Sequence, residues 1–181
     1  MTDLATLLER ARAGDEASAR ETFSTVYEAL RVLAHRHLRK GDGETLNTTA
    51  LVHEAWMRLV GGDAKFESRA HFFAVAATAM RQIGVDHARR RRAQKRGGGA
   101  VPTTLSQVGE DTNVEELLAI DEALTKLAAL DERLARVVEW RFFAGFEEAE
   151  IAAALDLDVR TVRRDWRKAR AFILAELEGS R

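Results

Sequence analysis

Apolar residues recur every three or four positions along most of this chain, which is the spacing of an amphipathic α-helix. Before residue 97 the pattern divides into four segments. Asp3 and Asp15 are the expected N-caps of the first two, Thr48 or Thr49 caps the third, and the fourth begins near Ser68. The predicted helices cover residues 3–13, 15–39, 48–60 and 68–96. With a single proline in the chain, this pattern predicts an all-α fold.

The fourth predicted helix has an apolar face and a strongly basic end. Its apolar face carries Phe72, Val75, Ala76, Ala79, Ile83 and Ala88. Gly84 lowers helix stability by roughly 1 kcal/mol relative to alanine, so we expect close packing there. The basic end carries Arg89, Arg90, Arg91, Arg92, Lys95 and Arg96. A solvated face is one interpretation, but these cations exceed what the helix dipole favours, so contact with phosphates is predicted.

Helical periodicity stops at Gly97. Three consecutive glycines and the proline follow, and then an acidic stretch with Glu110, Asp111, Glu115 and Glu116. This composition predicts a flexible acidic linker over residues 97–116. Periodicity resumes at about Val114, and Asp131 is the expected cap of a further helix that ends at Gly145.

The C-terminal segment has the layout of a helix-turn-helix. Ile151, Ala152 and Leu155 give the first helix an apolar side, and Asp158 is the expected N-cap of the second. The buried stripe of the second helix carries Val159, Val162, Trp166, Ala169 and Ile173. Its polar face carries Arg160, Thr161, Arg163, Arg164, Arg167, Lys168 and Arg170. Such a helix enters the DNA major groove, although a solvated basic face is the alternative and the turn lacks the usual glycine.

The residues of this second helix have separable expected roles. Arg160, Thr161 and Arg164 lie early, where side chains reach base edges, and an arginine there can bind guanine with two hydrogen bonds. Arg163, Arg167 and Arg170 are expected to neutralise phosphates. Asp165 could accept a hydrogen bond from cytosine, repel phosphate or pair with a nearby arginine, and we favour the pairing.

The charge distribution supports a nucleic-acid partner despite a net charge of −1. Residues 1–96 carry 17 Lys and Arg against 12 Asp and Glu, whereas residues 97–122 carry six acidic residues and no Lys or Arg. A uniform charge of this size would argue against DNA binding, but the segments differ. The absence of cysteine excludes disulfides and thiolate metal sites. No signal peptide or transmembrane run is apparent, so we expect a cytoplasmic protein that does not contact membranes.

Enzyme signatures are incomplete. His53 and Glu54 would begin a zinc-binding HExxH motif only if position 57 were histidine, and it is Met57. Asp86 and His87 stand in the wrong order for an HD-type phosphohydrolase. We therefore predict no catalytic residue, no metal site and no cofactor.

Nearly the whole sequence, taken in order, resembles the extracytoplasmic-function (ECF) sigma factors of bacterial RNA polymerase, which belong to the sigma-70-type superfamily. TTALVHEAWMRLV is similar to the region 2 helix that docks on core polymerase, and FESRAHFFAVAATAMRQIGVDHARRRR to the strand-opening and downstream-element part of region 2. LTKLAALDERLARVVEWRFFAGFEEAEIAAALDLDVRTVRRDWRKAR is similar to region 4, which reads the upstream promoter element. Ala50 departs from the pattern, because an acidic residue is usual before the leucine–valine pair.

The resemblance implies roles for particular residues. The interface with core polymerase would include His53, Glu54 and Arg58. The downstream element would contact Lys65, Phe66, Arg69, His71, Arg89, Arg90, Arg91 and Arg92. For Phe66, capture of an unstacked base and simple core packing are equally expected. Trp166 is expected in the core rather than on a base.

These expectations combine into a two-domain protein. Residues 1–96 form a sigma region 2-like bundle, residues 97–116 a flexible linker, and residues 117–181 a sigma region 4-like helix-turn-helix domain. The implied function is promoter recognition and transcription initiation with core RNA polymerase and promoter DNA as partners, and an anti-sigma factor as a further candidate partner. The alternative is a stand-alone helix-turn-helix regulator with an N-terminal sensor or dimerisation domain.

Overall fold

The computed structural model describes residues 4–38, 47–62, 66–98 and 105–179, without the side chains of residues 5, 95–98 and 105–113. Regular structure within these ranges is entirely helical, which confirms the all-α fold. The helices are α1 (Leu4–Arg12), α2 (Glu16–Leu38), α3 (Thr48–Gly61), α4 (Arg69–Gly98), α5 (Leu105–Leu130), α6 (Glu132–Val138), α7 (Glu148–Ala154) and α8 (Val159–Gly179). A π-helical turn, Glu139–Ala144, follows α6 directly. None of the described helices is both long and apolar enough to cross a bilayer.

Three of the predicted helix caps are confirmed. The side chain of Asp15 accepts hydrogen bonds from the backbone N–H groups of Ala17 and Ser18 at 3.1 and 3.2 Å. Asp131 accepts from two amides at the start of α6, and Asp158 accepts from the N–H of Arg160 at 2.7 Å. Each carboxylate satisfies amides that the first helical turn leaves without a partner.

The predicted cap of α3 is wrong. Neither Thr48 nor Thr49 caps this helix, because both lie inside its first turn. Asn47 is the cap, and its Oδ1 accepts a hydrogen bond from the N–H of Ala50 at 2.8 Å. The physical reason is positional: a cap must precede the helix and reach the amide three residues later, which is the place of Asn47.

Helix α4 is buried on two faces rather than on the single predicted one. Phe72, Ala76 and Ile83 are fully buried, and so are Ala74 and Ala77 on the neighbouring face. Here the N-terminal half means the described residues up to 98 and the C-terminal half means residues 105–179. Ala74 belongs to a hydrophobic cluster with residues of the C-terminal half, namely Val137, Trp140, Ile151, Ala152 and Val162. The central helix of the N-terminal half therefore packs directly against the C-terminal half.

One hydrophobic core includes residues from both halves of the chain. Leu8 of α1, Trp56 of α3 and Ala169 of α8 all belong to it. We refer to the contacts of α4 with α5 and with the π-helical turn, and of α2 with that turn, as the closed arrangement.

The segment predicted to be a linker contains helical backbone wherever it is described. α4 continues to Gly98, and α5 begins at Leu105, nine residues before the expected position at Val114. Extending a helix from a packed segment costs little per added residue, which explains why it continues without an apolar stripe. Glu110 and Asp111 lie among residues whose side chains are not described.

The π-helical turn ends at a glycine that faces α2. Gly145 has φ = 75°, in the left-handed region that L side chains rarely adopt. A Cβ at this position would overlap the guanidinium of Arg36. That guanidinium donates a hydrogen bond from Nη1 to the carbonyl oxygen of Ala144 at 3.1 Å. Glycine thus permits both the turn and the contact with α2.

Candidate nucleic-acid interface

The turn between α7 and α8 forms without glycine. Asp156 has φ = 53°, and its left-handed conformation replaces the glycine that such turns usually contain. Aspartate tolerates this region better than most residues. The N–H of Leu157 donates to the carbonyl of Ala152 at 2.8 Å, which closes α7, and Asp158 then caps α8.

The inner side of α8 is packed as predicted. Val162 and Ala169 are fully buried, and Trp166 is half-buried against both hydrophobic clusters. The guanidinium of Arg141 lies 5.2 Å from the Trp166 ring centre. Trp166 is therefore part of the core, which confirms its expected place.

The outer side of α8 presents the predicted basic residues to solvent. Arg160, Arg163, Arg164, Arg167 and Arg170 are exposed, and Thr161 is half-buried. Nε of Arg163 donates to Oε2 of Glu148 on α7 at 2.6 Å. This hydrogen bond lowers the pKa of Glu148, which keeps the carboxylate charged. The helix-turn-helix thus carries one continuous cationic face.

Asp165 pairs with arginine, as favoured from the sequence. Its side chain is only 1% exposed, and Nε of Arg133 on α6 lies 2.8 Å from Oδ2. The N–H of that Nε is not aimed at Oδ2, so the contact is an ion pair rather than a hydrogen bond. Nε of Arg164 lies 3.7 Å from Oδ1. The carboxylate therefore faces protein cations and does not lie on the exposed face of α8.

The arginine run at the end of α4 faces acidic residues of α5. Arg89 pairs with Asp121 at 2.9 Å, and Arg92 pairs with Glu115 at 3.4 Å. Arg90 is exposed and Arg91 is half-buried. In the closed arrangement, part of this predicted phosphate-binding run is thus neutralised by the protein itself.

Only some of the residues around the start of α4 that were predicted to contact the downstream element lie together. Phe66 is 8% exposed, and its ring lies 5.2 Å from Phe72 with the guanidinium of Arg12 at 4.8 Å. In this arrangement Phe66 is core. His71 is half-buried beside it at 6.3 Å, whereas Arg69 is exposed. Lys65 lies outside the described residues.

The predicted polymerase-docking face forms a polar network across two helices. The buried side of α3 carries Leu51, Val52, Ala55, Trp56 and Leu59, as expected. On the opposite side, Arg58 pairs with Glu54 at 3.3 Å and with Asp86 of α4 at 3.1 Å. Glu54 also lies 3.5 Å from Nε2 of His87, and His53 is exposed beside it. No group of three or more His, Cys, Asp or Glu in the described part of the chain could hold a metal ion.

Sequence reasoning missed Arg81, which the structure places between the two halves. Its side chain is 9% exposed and pairs with Asp121 of α5 and with Glu139 of the π-helical turn. Thr78 also donates to Glu139, at 3.0 Å. A signal was present in the sequence, because Ala74, Ala77, Arg81 and Ala88 form a second row on α4 at helical spacing.

Comparison with known protein families identifies the family of this chain. The family described as ECF sigma factor matches residues 1–179 of this chain. No curated protein matches it. The match extends over the α3–α4 surface and over the helix-turn-helix, so a single family model covers both halves of the chain. The chain belongs to the ECF sigma factors, the proteins that bind core RNA polymerase and direct promoter recognition and transcription initiation.

Proposed function

We propose that the two halves of this sigma factor divide promoter recognition between them. Residues 117–181 bind the upstream element as duplex DNA, and residues 1–96 bind core polymerase and hold the downstream element as it opens. Residues 97–116 connect them. The observation that carries this division is the exposed cationic face of α8, capped by Asp158 and backed by buried Val162 and Ala169. A major groove admits one helix, and arginines on its outer face supply both base and phosphate contacts.

We further propose that upstream recognition uses Arg160, Thr161 and Arg164 for base edges and Arg163, Arg167 and Arg170 for phosphates. Downstream recognition uses Arg69, His71 and Arg89–Arg92, together with Lys65 and Phe66. For Phe66 the proposal requires a rearrangement, because its ring is buried against Phe72. Strand opening supplies a reason for one, since stacking with an unpaired base stabilises the complex by roughly 1–3 kcal/mol.

The closed arrangement belongs to the free protein in this proposal. Arg89 and Arg92 are paired with acidic residues of α5, so DNA must compete with Asp121 and Glu115 for them. Core polymerase shifts the population towards a separated arrangement by binding it better than the closed one. The same ion pairs explain why α5 is acidic where it meets α4.

The docking face on α3 offers a direct test of this proposal. The variant Glu54→Ala/Arg58→Ala removes half of the polar network without removing a buried apolar side chain. We expect weaker binding to core polymerase with the helical content unchanged. The matched control is Glu28→Ala/Arg31→Ala, an exposed ion pair on α2 with a separation of 3.6 Å. Wild-type affinity for core in the α3 variant, measured by fluorescence anisotropy, would overturn the assignment of this face.

An anti-sigma factor is a further proposed partner, which follows from family resemblance alone. Such a partner would compete with core polymerase for the α3 face or with DNA for α8. Affinity capture from the native cell, with and without added core polymerase, tests the proposal. A captured protein that core displaces would support it, and capture of polymerase subunits alone would contradict it.

A further inference from the structure

A buried carboxylate lies within the most basic helix of the protein. Asp165 is 1% exposed, although the neighbouring Arg164 and Arg167 are exposed. Burying an unpaired carboxylate costs several kcal/mol, so the charge must be compensated locally. Two guanidinium groups compensate it, one from α6 and one from α8 itself.

Both arginines face Asp165 with the same part of the side chain. Nε of Arg133 lies 2.8 Å from Oδ2, and Nε of Arg164 lies 3.7 Å from Oδ1. The guanidinium is planar and rigid, so an ion pair at Nε limits the positions of the terminal nitrogens, although the Nε–H of Arg133 makes no hydrogen bond to Oδ2. About half of each side chain is exposed, at 47% and 58%. The terminal N–H groups can therefore bind a ligand while Nε faces the carboxylate.

A second carboxylate also pairs with arginine, on the opposite flank of α8. Glu148 accepts a hydrogen bond from Nε of Arg163 at 2.6 Å and lies 3.6 Å from Arg141. At 3.6 residues per turn, positions 163 and 165 are about 200° apart around the helix axis. The cationic face of α8 is thus bordered on both sides by carboxylates that orient arginines.

We propose that Asp165 is a positioning residue for upstream-element recognition, and that Arg133 of α6 is an additional contact to the DNA backbone. Asp165 holds Arg164 towards a base edge and Arg133 towards a phosphate. This inference rests on the proposed function, in which the exposed face of α8 enters the major groove. With Arg133 included, the proposed DNA-binding surface extends beyond the helix-turn-helix to the first turn of α6.

Discrimination between base pairs, rather than overall affinity, separates a positioning role of Asp165 from simple electrostatics. Asp165→Asn removes one negative charge from the DNA-binding half, and so does Asp156→Asn in the exposed turn, where asparagine tolerates φ = 53°. General electrostatics predicts the same small gain in affinity for both variants. Positioning predicts that only Asp165→Asn loses discrimination between base pairs.

The experiment uses the full-length protein bound to core polymerase. Promoter fragments selected by the wild-type complex are compared with all single-base-pair variants of their upstream element. We expect discrimination at one or two positions to fall about tenfold in Asp165→Asn, within the range for loss of one two-bond arginine–guanine contact. Asp156→Asn should retain wild-type discrimination. Equal behaviour of the two variants would overturn the positioning role.

The salt dependence of binding tests the contact of Arg133. If this residue neutralises one phosphate, Arg133→Gln should reduce the slope of log affinity against log salt concentration by about 0.9. Arg133→Lys should restore the slope, because it keeps the charge, but not the discrimination of Arg164, because it cannot maintain the guanidinium geometry around Asp165. Arg136→Gln is the matched control, since Arg136 is a half-exposed cation one turn later on α6 that pairs with Glu132.

The outcomes distinguish this inference from the function on which it rests. An unchanged salt slope in Arg133→Gln would remove Arg133 from the DNA surface. If the wild-type complex discriminates between base pairs of the upstream element and Asp165→Asn discriminates equally well, the inference is overturned. The proposed function would then remain intact. A wild-type complex that selects no upstream sequence would overturn the proposed function, and this inference with it.

Discussion

Arg81 of α4 donates a hydrogen bond from Nη2 to Oε1 of Glu139 at 2.6 Å, in an environment that leaves the arginine only 9% exposed. The other terminal nitrogen of Arg81 pairs with Asp121 of α5. One buried cation of the N-terminal half thus joins two carboxylates of the C-terminal half. Its removal would take one compensating cation from each carboxylate and would leave Asp121 with the exposed Arg89.

Replacing Arg81 should therefore weaken the closed arrangement. For Arg81→Met, which keeps most of the side-chain volume, we expect a loss of roughly 3–5 kcal/mol in the free energy of unfolding, because one partner of a buried ion pair is removed. Urea denaturation followed by circular dichroism measures this loss. Arg20→Met is the control, since Arg20 is 80% exposed and pairs only weakly with Glu16 at 3.9 Å. Equal effects of the two substitutions would contradict the importance of the Arg81 contacts.

Much of the fold could be predicted because its signals are local. Asp15, Asp131 and Asp158 were identifiable as caps, since a cap acts within three residues of its own position. Asn47 was missed because two threonines stood next to it and the apolar pattern cannot separate adjacent positions. The left-handed conformation of Asp156 has no sequence signal other than the residue type.

The contacts between the two halves could not be predicted in the same way. Arg81 meets Asp121 and Glu139 only after residues distant in sequence have come together, and the hydrophobic period does not identify such pairs. For the candidate site, the cationic face of α8 was evident from spacing. The partner of Asp165 could not be identified from the sequence pattern, because Arg133 lies on another helix.

Two glycine-to-alanine substitutions should have opposite effects on stability. At Gly84 within α4, a Cβ would lie 3.6 Å from Cδ2 of Leu117, which is an ordinary contact. Gly84→Ala should therefore raise the free energy of unfolding by about 1 kcal/mol, the helix-propensity difference. The expected close approach at Gly84 thus leaves room for one methyl group. If urea denaturation showed Gly84→Ala to be destabilised, it would contradict the claim that a methyl group fits between α4 and α5 at this position.

At Gly145 alanine should be destabilising. The positive φ costs an L residue roughly 1–2 kcal/mol, and the added Cβ would displace Arg36 from the carbonyl of Ala144. We therefore expect a lower unfolding midpoint for Gly145→Ala, measured by thermal denaturation beside Gly84→Ala. An unchanged midpoint would show that neither the conformation nor the Arg36 contact matters for stability.

The acid dependence of stability should include a contribution from Asp15. Hydrogen bonds from the hydroxyl and N–H of Ser18, followed by Arg10, lower the pKa of Asp15 from 3.8 to about 2. Because the folded pKa is the lower one, this contribution is present above about pH 4 and is lost as the pH falls towards 2. The stability difference between wild type and Asp15→Asn should shrink over that interval. A difference that stays constant, measured by denaturation at each pH, would contradict the shift.

Single alanine substitutions on α8 should separate base contacts from phosphate contacts. Arg164→Ala should relax specificity at one or two upstream positions by roughly 1–3 kcal/mol, because an early arginine of this helix is placed for a base edge. Arg170→Ala should weaken binding by a similar factor for every sequence, because a phosphate contact carries no sequence information. The assignment is measured on a panel of promoter variants. Unchanged discrimination in Arg164→Ala would refute it.

The function as a sigma factor is tested most directly by mixing the purified protein with sigma-free bacterial core polymerase. Gel filtration reports association, and run-off transcription on a library of genomic fragments reports start sites. We expect a stable complex, defined start sites that appear only when protein and core are both present, and a shared upstream element before them. Tight sequence-specific DNA binding without association with core would contradict this function and indicate a stand-alone helix-turn-helix regulator.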